Sequence, residues 1–402
     1  GKDPLEIRKL NLYKKGRDTT PYHQTVEQHI LKDMISQLEE SGDYWARKKA
    51  IKTFNASSPI IKKGLAMTPV KYGISFTVQH LNQAGALVHV YSDGSIHLNH
   101  GGTEMGQGLN TKIAQIVAHG FGVDFDAVSI SATRTDKVPN TSPTAASSGT
   151  DLNGMAALNA VNTIKERLIN FISEHFEADS QSIVFKDNLI TFSKGEISFS
   201  ELANLAYMNR ISLSSTGYYA TPKIHYDRAK GEGRPFFYYA HGVALSEVEV
   251  DTLTGENTVT RVDILHDVGS SINPALDIGQ IEGAFVQGMG WLTTEDLQWN
   301  DKGQLASFGP ANYKIPAIGD TPAEFNVNLY NSANPETTVF RSKAVGEPPF
   351  MLAFSVWSAI RNAISSVADY KYTAPLDTPA TPERVLNAIE QTASWFKEQQ
   401  HG

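Results

Sequence analysis

A chain of 402 residues, 41% apolar and 19% charged, is globular and too long for one ordinary core, so two or three subdomains are expected. Its formal net charge of −8 and the absence of any concentrated Lys/Arg stretch exclude a nucleic-acid track; Arg47-Lys48-Lys49 reads as a solvated helix face. With no cysteine, the chain has no disulfide framework, thiolate zinc site or Cys-ligated iron–sulfur cluster of its own, and any electrons it handles leave through another cofactor or another chain.

The first residues, Gly1-Lys2-Asp3-Pro4, are polar and lack both a signal-peptide core and an initiator Met. No apolar run reaches the roughly 18 to 20 residues of a membrane span. The expectation is a cytoplasmic piece of a longer protein, with no membrane and no nucleic-acid partner.

In chain order, Ile30, Met34, Ile35 and Leu38 repeat at helical spacing and predict a helix over 26–40, with a second over 44–53. A β-rich block follows. Residues 63–77 alternate irregularly, and 87–91 and 96–98 flank Asp93-Gly94, a hairpin signal. The segment Gly101 to Gly108 leads into a helix with Leu109, Ile113, Ile116 and Val117 on one face, for which Gly120 fits the C-terminal stop. A strand is expected at 128–132, then a small-residue loop at 140–150, then a helix over 151–175. The middle reads as short strands with a helix near 199–207. A long hairpin, 243–250 and 258–265, turns near Thr254-Gly255. Asn273-Pro274 opens the next helix as N-cap and first residue. A buried apolar helix over 350–364 follows Pro348-Pro349, and an amphipathic helix starts at Thr381-Pro382. The plan of hairpin, glycine loop and helix occurs twice, which points to an α+β protein of mixed sheets with flanking helices in two pseudo-related subdomains. The expected division is a helical segment at 1–60, one subdomain at 61–236 and another at 237–402.

Three small-residue loops lead into helix starts: Gly101 to Gly108, Pro143 to Thr150 and Gly346 to Pro349. Helix N-termini offer unpaired N–H groups and a positive dipole end, and glycine admits close approach, so three such loops together could cradle a large anion. Each loop alone serves equally as a tight turn. The first is neither a Walker A nor a dinucleotide fingerprint. Glu347, at the mouth of the buried helix, is the sharpest candidate base, with a plain helix cap as the alternative. Gln107 and Gln287 are amides able either to bond a heterocycle or to satisfy backbone. Glu104 reads as a capping carboxylate and Phe76 as a core residue. His100, His241 and His266 have no metal spacing, so no metal site made of protein ligands is expected.

Taken together, HGGTEMGQGL (100–109), VPNTSPTAAS (138–147), DIGQIEGAFVQGMG (277–290), SKAVGEPP (342–349), GISFTV (73–78) and NQAGALVHVYSDGS (82–95) resemble the xanthine dehydrogenases of the molybdenum hydroxylase family, in the family's order and over nearly the whole chain. VGEPP favours a xanthine-type over an aldehyde-type member. The resemblance implies molybdopterin carrying molybdenum as cofactor, the metal being held by the pterin dithiolene. It implies that Gly106, Gln107, Gly108, Ala145, Ala146, Ser147 and Gln287 bind that cofactor, that Glu347 is the catalytic base, and that Phe76 and Thr77 meet a purine substrate. The implied reaction is the hydroxylation of hypoxanthine and xanthine to urate with oxygen from water, a step of purine catabolism. Hydroxylation of another N-heterocycle or an aldehyde, and a non-catalytic binding or assembly module, stay open as alternatives. Iron–sulfur clusters and FAD would sit on a partner subunit or module, and the full enzyme would be a dimer. The family's upstream Phe-Gly-Gly-Lys-Glu-type loop, and an Arg and second Phe of its substrate site, have no match here. The implied fragment therefore needs the upstream molybdenum-domain portion and, in isolation, is expected to be inactive.

Overall fold

The computed structural model describes residues 2–138 and 140–401. Three helices come first: α1 (Pro4–Leu10), α2 (Leu31–Ser41) and α3 (Tyr44–Ser57). Asp3 caps α1 by accepting from the Leu5 N–H at 2.7 Å. Met34, Ile35 and Leu38 line the buried stripe of α2. Strand β1 (Ile61–Ile74), the hairpin β2 (Gln83–Val90) and β3 (Ile96–His100), helix α4 (Leu109–Phe121), strand β4 (Val128–Ile130) and the long helix α5 (Gly149–His175) follow. A three-stranded meander, β5 (Val184–Lys186), β6 (Leu189–Phe192) and β7 (Gly195–Ser198), leads to α6 (Phe199–Met208), which starts with a capping box of Ser198 and Glu201. Then come β8 (Ser214–Ala220), the small ribbon β9 (His225–Asp227) and β10 (Glu232–Arg234), and the long hairpin β11 (Tyr238–Asp251) and β12 (Asn257–His266). Helix α7 (Pro274–Thr293), strand β13 (Glu324–Leu329), helix α8 (Phe354–Ser365) and helix α9 (Pro382–His401) complete the chain.

Two four-stranded mixed sheets organise these elements, in the orders β8-β2-β3-β4 and β1-β11-β12-β13. Each is built the same way. A hairpin (β2–β3 or β11–β12) is followed by a helix (α4 or α7) and then a strand parallel to the hairpin's second arm (β4 or β13). Next comes a helix laid over the sheet, α5 or α8. The fourth strand pairs antiparallel with the hairpin's first arm in both sheets, yet β8 arrives late in the first and β1 early in the second. The two units are thus related in architecture, as the repeated plan in the sequence predicts, with one strand supplied from opposite ends.

Sequence patterning explains which faces are buried. Along β11, Ala244, Val248 and Val250 face a core shared with α7 and α8, while Val243 and Leu245 face a second core with α1, α2 and α3. Both faces are covered, so this strand is apolar without clean alternation. The first unit has its own core, where Val88 and Leu98 meet Ile113, Val117, Val161 and Ile164. Each large side chain removed from water there stabilises by about 1.5–3 kcal/mol.

Several sequence expectations shift. Helix α2 starts at Leu31, not at Val26, because the Val26 N–H donates to the Asp18 carbonyl at 2.7 Å in a turn. Helix α4 ends on Gly122, with φ of +67°, two residues past Gly120. The buried helix after Pro348-Pro349 begins as a 3₁₀ segment (Pro348–Ala353) and becomes α-helical at Phe354, since two prolines remove N–H donors from its first turn. The 21-residue stretch Pro348–Ala368 is long and apolar enough to cross a bilayer, contrary to the sequence reading; half of it is buried in the fold, against β1 and β11. Strand pairing also divides the chain differently from a cut at 236: β1 lies in the sheet of the second unit, in continuous register with β11 from Ile61–Asp251 to Ile74–Tyr238.

Candidate functional site

The two units meet around one cavity of about 230 Å³. Its rim comes from all three small-residue loops: Met105 and Gln107 on the first, Thr144, Ala145, Ser147, Gly149, Thr150 and Asp151 on and just after the second, and Ser342 to Glu347 on and before the third, while Gly106, Gly108 and Ala146 do not line it. Hydroxyl groups stitch these loops together. Thr144 Oγ1 accepts from the Thr103 N–H at 2.8 Å, and Ser147 Oγ accepts from the Glu347 N–H at 2.8 Å.

Local chemistry sets each loop. In the first, the Glu104 carboxylate accepts from the N–H groups of Gly106, Gly108 and Asn110, a capping role as the sequence reading had it. Burial alone would raise its pKa, but these backbone donors hold it below the usual range. Gly106 and Gly108 take φ of +102° and +77°. The Gln107 amide folds onto its own loop, accepting from Met105 N at 2.6 Å and donating to Thr103 O at 2.9 Å, while still lining the cavity. In the second loop, Ala146 and Ser147 both adopt φ near +55°, at 56° and 55°. Two consecutive left-handed non-glycine residues store backbone strain, a feature that concentrates at functional sites. No side chain caps α5, and the N–H groups of Gly149, Thr150 and Asp151 have no acceptor among the described residues.

The third loop is anchored from beneath. Lys343 N donates to Val268 O at 2.7 Å, and its ammonium is paired with Asp267 in full burial and bonds Tyr239 O at 3.0 Å. Burial alone would raise Asp267, but the Lys343 charge and the hydroxyl of Ser332 hold it well below the usual carboxylate range. His241 Nδ1 stands 3.7 Å from this carboxylate, beyond hydrogen-bond reach; burial lowers the pKa of His241 and pushes His266 down to about 4. Among the described residues no group of three His, Cys, Asp or Glu is arranged to hold a metal.

Glu347 is half-buried at the cavity edge. The Tyr72 hydroxyl donates to its Oε2 at 2.9 Å, and Oε1 has no partner among the described residues. Burial and then this carboxylate push the Tyr72 hydroxyl up to about 12, so it stays a donor at neutral pH. Sequence reading missed Tyr72, which looks like any strand residue until β1 pairs with β11 beside the third loop.

Other expected residues lie elsewhere. Gln287 is exposed on α7 and does not line the cavity; Gln280, two turns earlier on the same helix, does. Seven residues advance a helix by about 10 Å, so only one of the two amides reaches this opening. Both sit in the DIGQIEGAFVQG motif, and helical periodicity alone could not choose between them. Phe76 and Thr77 follow β1, half-buried and exposed respectively, and neither lines the cavity; Asn82 holds the backbone of Phe76 through its N–H at 2.8 Å and its carbonyl at 2.9 Å.

The cavity is thus rimmed by backbone-rich loops at the junction of two mixed-sheet units, with one oriented carboxylate at its edge. The chain belongs to the family of molybdopterin cofactor-binding domains, whose description it matches over residues 37–322. It is similar to the xanthine dehydrogenase/oxidase of Gallus gallus, at 49% identity over 395 residues, covering 98% of this chain and 28% of that protein. The xanthine dehydrogenase of Dictyostelium discoideum is 46% identical over 406 residues, covering 99% of this chain. The chain therefore spans about 28% of the length of these relatives. Among solved structures, the aldehyde oxidoreductase of Desulfovibrio gigas aligns with a TM-score of 0.77 at 26% identity, covering 96% of this chain and 38% of that one. The reconstituted CO dehydrogenase of Oligotropha carboxidovorans aligns at 0.85 with 18% identity, covering 98% and 49%, a likeness of fold.

Proposed function

We propose that this chain is the molybdenum-cofactor-binding part of a xanthine-dehydrogenase-type hydroxylase and that Glu347 is its general base. The observation that carries the reading is the convergence of three loops, far apart in sequence, on one cavity with Glu347 at its edge.

The residues present fit an anionic pterin cofactor. Open N–H groups at the start of α5 suit its phosphate-bearing part. The cavity's two lysines, Lys112 and Lys343, are already paired with Asp277 and Asp267, so the attraction comes from backbone dipoles. Gly106, Gln107 and Gly108 on the first loop and Ala145, Ala146 and Ser147 on the second would hold the cofactor, with Gln280 in the place first expected of Gln287. When bound, the cofactor supplies the redox-active metal together with its own sulfur ligands, chemistry that a chain without cysteine does not have to provide.

The chain's own part is orientation and proton handling. Tyr72 fixes Glu347 through Oε2 and leaves Oε1 free to take a proton from the reacting group. Phe76 and Thr77, which do not line the cavity, would meet a purine only where its ring extends beyond that rim. The whole enzyme would hydroxylate hypoxanthine and xanthine with oxygen from water and pass electrons to iron–sulfur and FAD modules outside this chain, as a dimer. The fold shared with an aldehyde oxidoreductase favours one competing substrate class, aldehydes.

Turnover by the full-length enzyme tests the reading. Xanthine is expected to be oxidised faster than any member of an aldehyde panel, and aldehyde turnover without xanthine turnover would overturn the substrate assignment. Glu347→Gln is expected to lower kcat by about 10²–10⁴ with molybdenum content unchanged. An unaffected kcat would remove Glu347 as the base, and a loaded enzyme that turns over nothing would favour an assembly role.

A further inference from the structure

One titratable group at the cavity is used by none of this. Asp151 is the third residue of α5, 8% exposed, and it lines the cavity. The Tyr238 hydroxyl donates to its Oδ2 at 2.6 Å, and that same hydroxyl accepts from the Ala344 N–H at 2.8 Å, three residues before Glu347. Tyr238 is thereby committed in both directions and has no proton to spare. Oδ1 of Asp151 has no hydrogen-bond partner among the described residues. A buried carboxyl with one satisfied oxygen and one open oxygen stands beside three N–H groups that also lack acceptors.

That arrangement holds a conflict. The N–H groups at the start of α5 attract an anion, whereas an ionised Asp151 beside them repels one. The conflict vanishes when Oδ1 carries a proton, because the carboxyl then becomes a further donor at the same cavity. We propose that Asp151 is a proton-dependent clamp, which in its neutral form donates through Oδ1 to the anionic, phosphate-bearing part of the cavity's occupant and in its ionised form weakens the hold. The proposal rests on the cofactor reading above.

The surroundings support a switch near neutrality. Burial pushes Asp151 up to about 7, with the Tyr238 hydrogen bond and the Lys112 charge opposing. Other groups face it from each packed element. Lys112 on α4 is neutralised by Asp277 on α7, Tyr219 on β8 and Tyr238 on β11 are phenols held well above their ordinary range, and Glu347 and Lys343 belong to the third loop. Lys343 is turned into its pair with Asp267, and Glu347 is engaged by Tyr72.

The test uses the full-length protein loaded with cofactor, with the rate of pterin and molybdenum release measured at pH 6 and pH 8 for the wild type and Asp151→Asn. Asn keeps the shape and a donor but cannot ionise. For a group titrating near 7, release from the wild type is expected to quicken about tenfold between the two pH values. Asp151→Asn should lose most of the pH effect. A phosphate titrates in the same range, so the wild type and Asp151→Asn sharing one pH dependence would overturn the proposal, as would a flat profile in the wild type. Absence of bound cofactor at every pH would instead sink the cofactor reading itself. If Asp151→Asn fails to accumulate, proton uptake on cofactor binding to the wild type, measured in two buffers at pH 7.5, decides: a fractional proton taken up supports the clamp and none overturns it.

Discussion

Glu347 owes its position to its neighbours. Its backbone N–H is held by Ser147, its Oε2 by Tyr72, and the prolines after it restrict the chain. Ser147 itself sits in the left-handed region next to Ala146, so the loop that holds Glu347 is strained and the tertiary fold keeps it so. The Tyr72 bond to one carboxylate oxygen fixes where the other faces. Removing the donor with Tyr72→Phe should therefore let the Glu347 carboxylate turn away from its place at the cavity edge. In the full-length enzyme kcat is expected to fall about tenfold with cofactor content unchanged. An unchanged kcat would show that the Tyr72 bond does not position Glu347. The residue types in VGEPP mark Glu347 from sequence, but nothing in a strand pattern marks Tyr72. Its role comes from the pairing of β1 with β11, which brings residue 72 to the third loop.

Among the elements, the two sheets are crossed by helices at matched places. A Cβ at Gly64 on β1 would overlap the Ala359 carbonyl of α8, and one at Gly217 on β8 would overlap the Ala156 carbonyl of α5. Both strands occupy the same position in their sheets, antiparallel to the first arm of the hairpin. The crossing helices also carry the site: α5 begins in the second loop, and the third loop runs into α8. Gly217→Ala must push α5 off its sheet. A loss of about 1–3 kcal/mol is expected, read as a lower thermal midpoint and reduced cofactor content in the full-length protein. A neutral substitution would mean that the helix adjusts freely and that the close approach does not position the loop. Individual helices and hairpins were legible because periodicity and turn residues are local. Their boundaries slipped where a distant contact won, as at Val26, held by Asp18, and at Pro348, where the first turn is 3₁₀.

At the scale of the molecule, the repeated plan of hairpin, glycine loop and helix was visible in the sequence, and so were mixed sheets with flanking helices; the parallel strand β13 was not. The exchange of β1 into the second unit was not, because pairing between strands some 170 residues apart leaves no local trace. The same holds for the cavity. Each small-residue loop reads as a turn on its own, and only the assembled fold brings them to one rim, with Gln280 in place of Gln287 and Asp151 added. We propose that molybdopterin sits within this rim. A structure of the full-length protein with its cofactor bound tests it most directly. Pterin density is expected between Gln107, the start of α5 and the third loop, with Glu347 directed at the bound cofactor. Density elsewhere in the chain, or a Glu347 turned away from the metal, would contradict it.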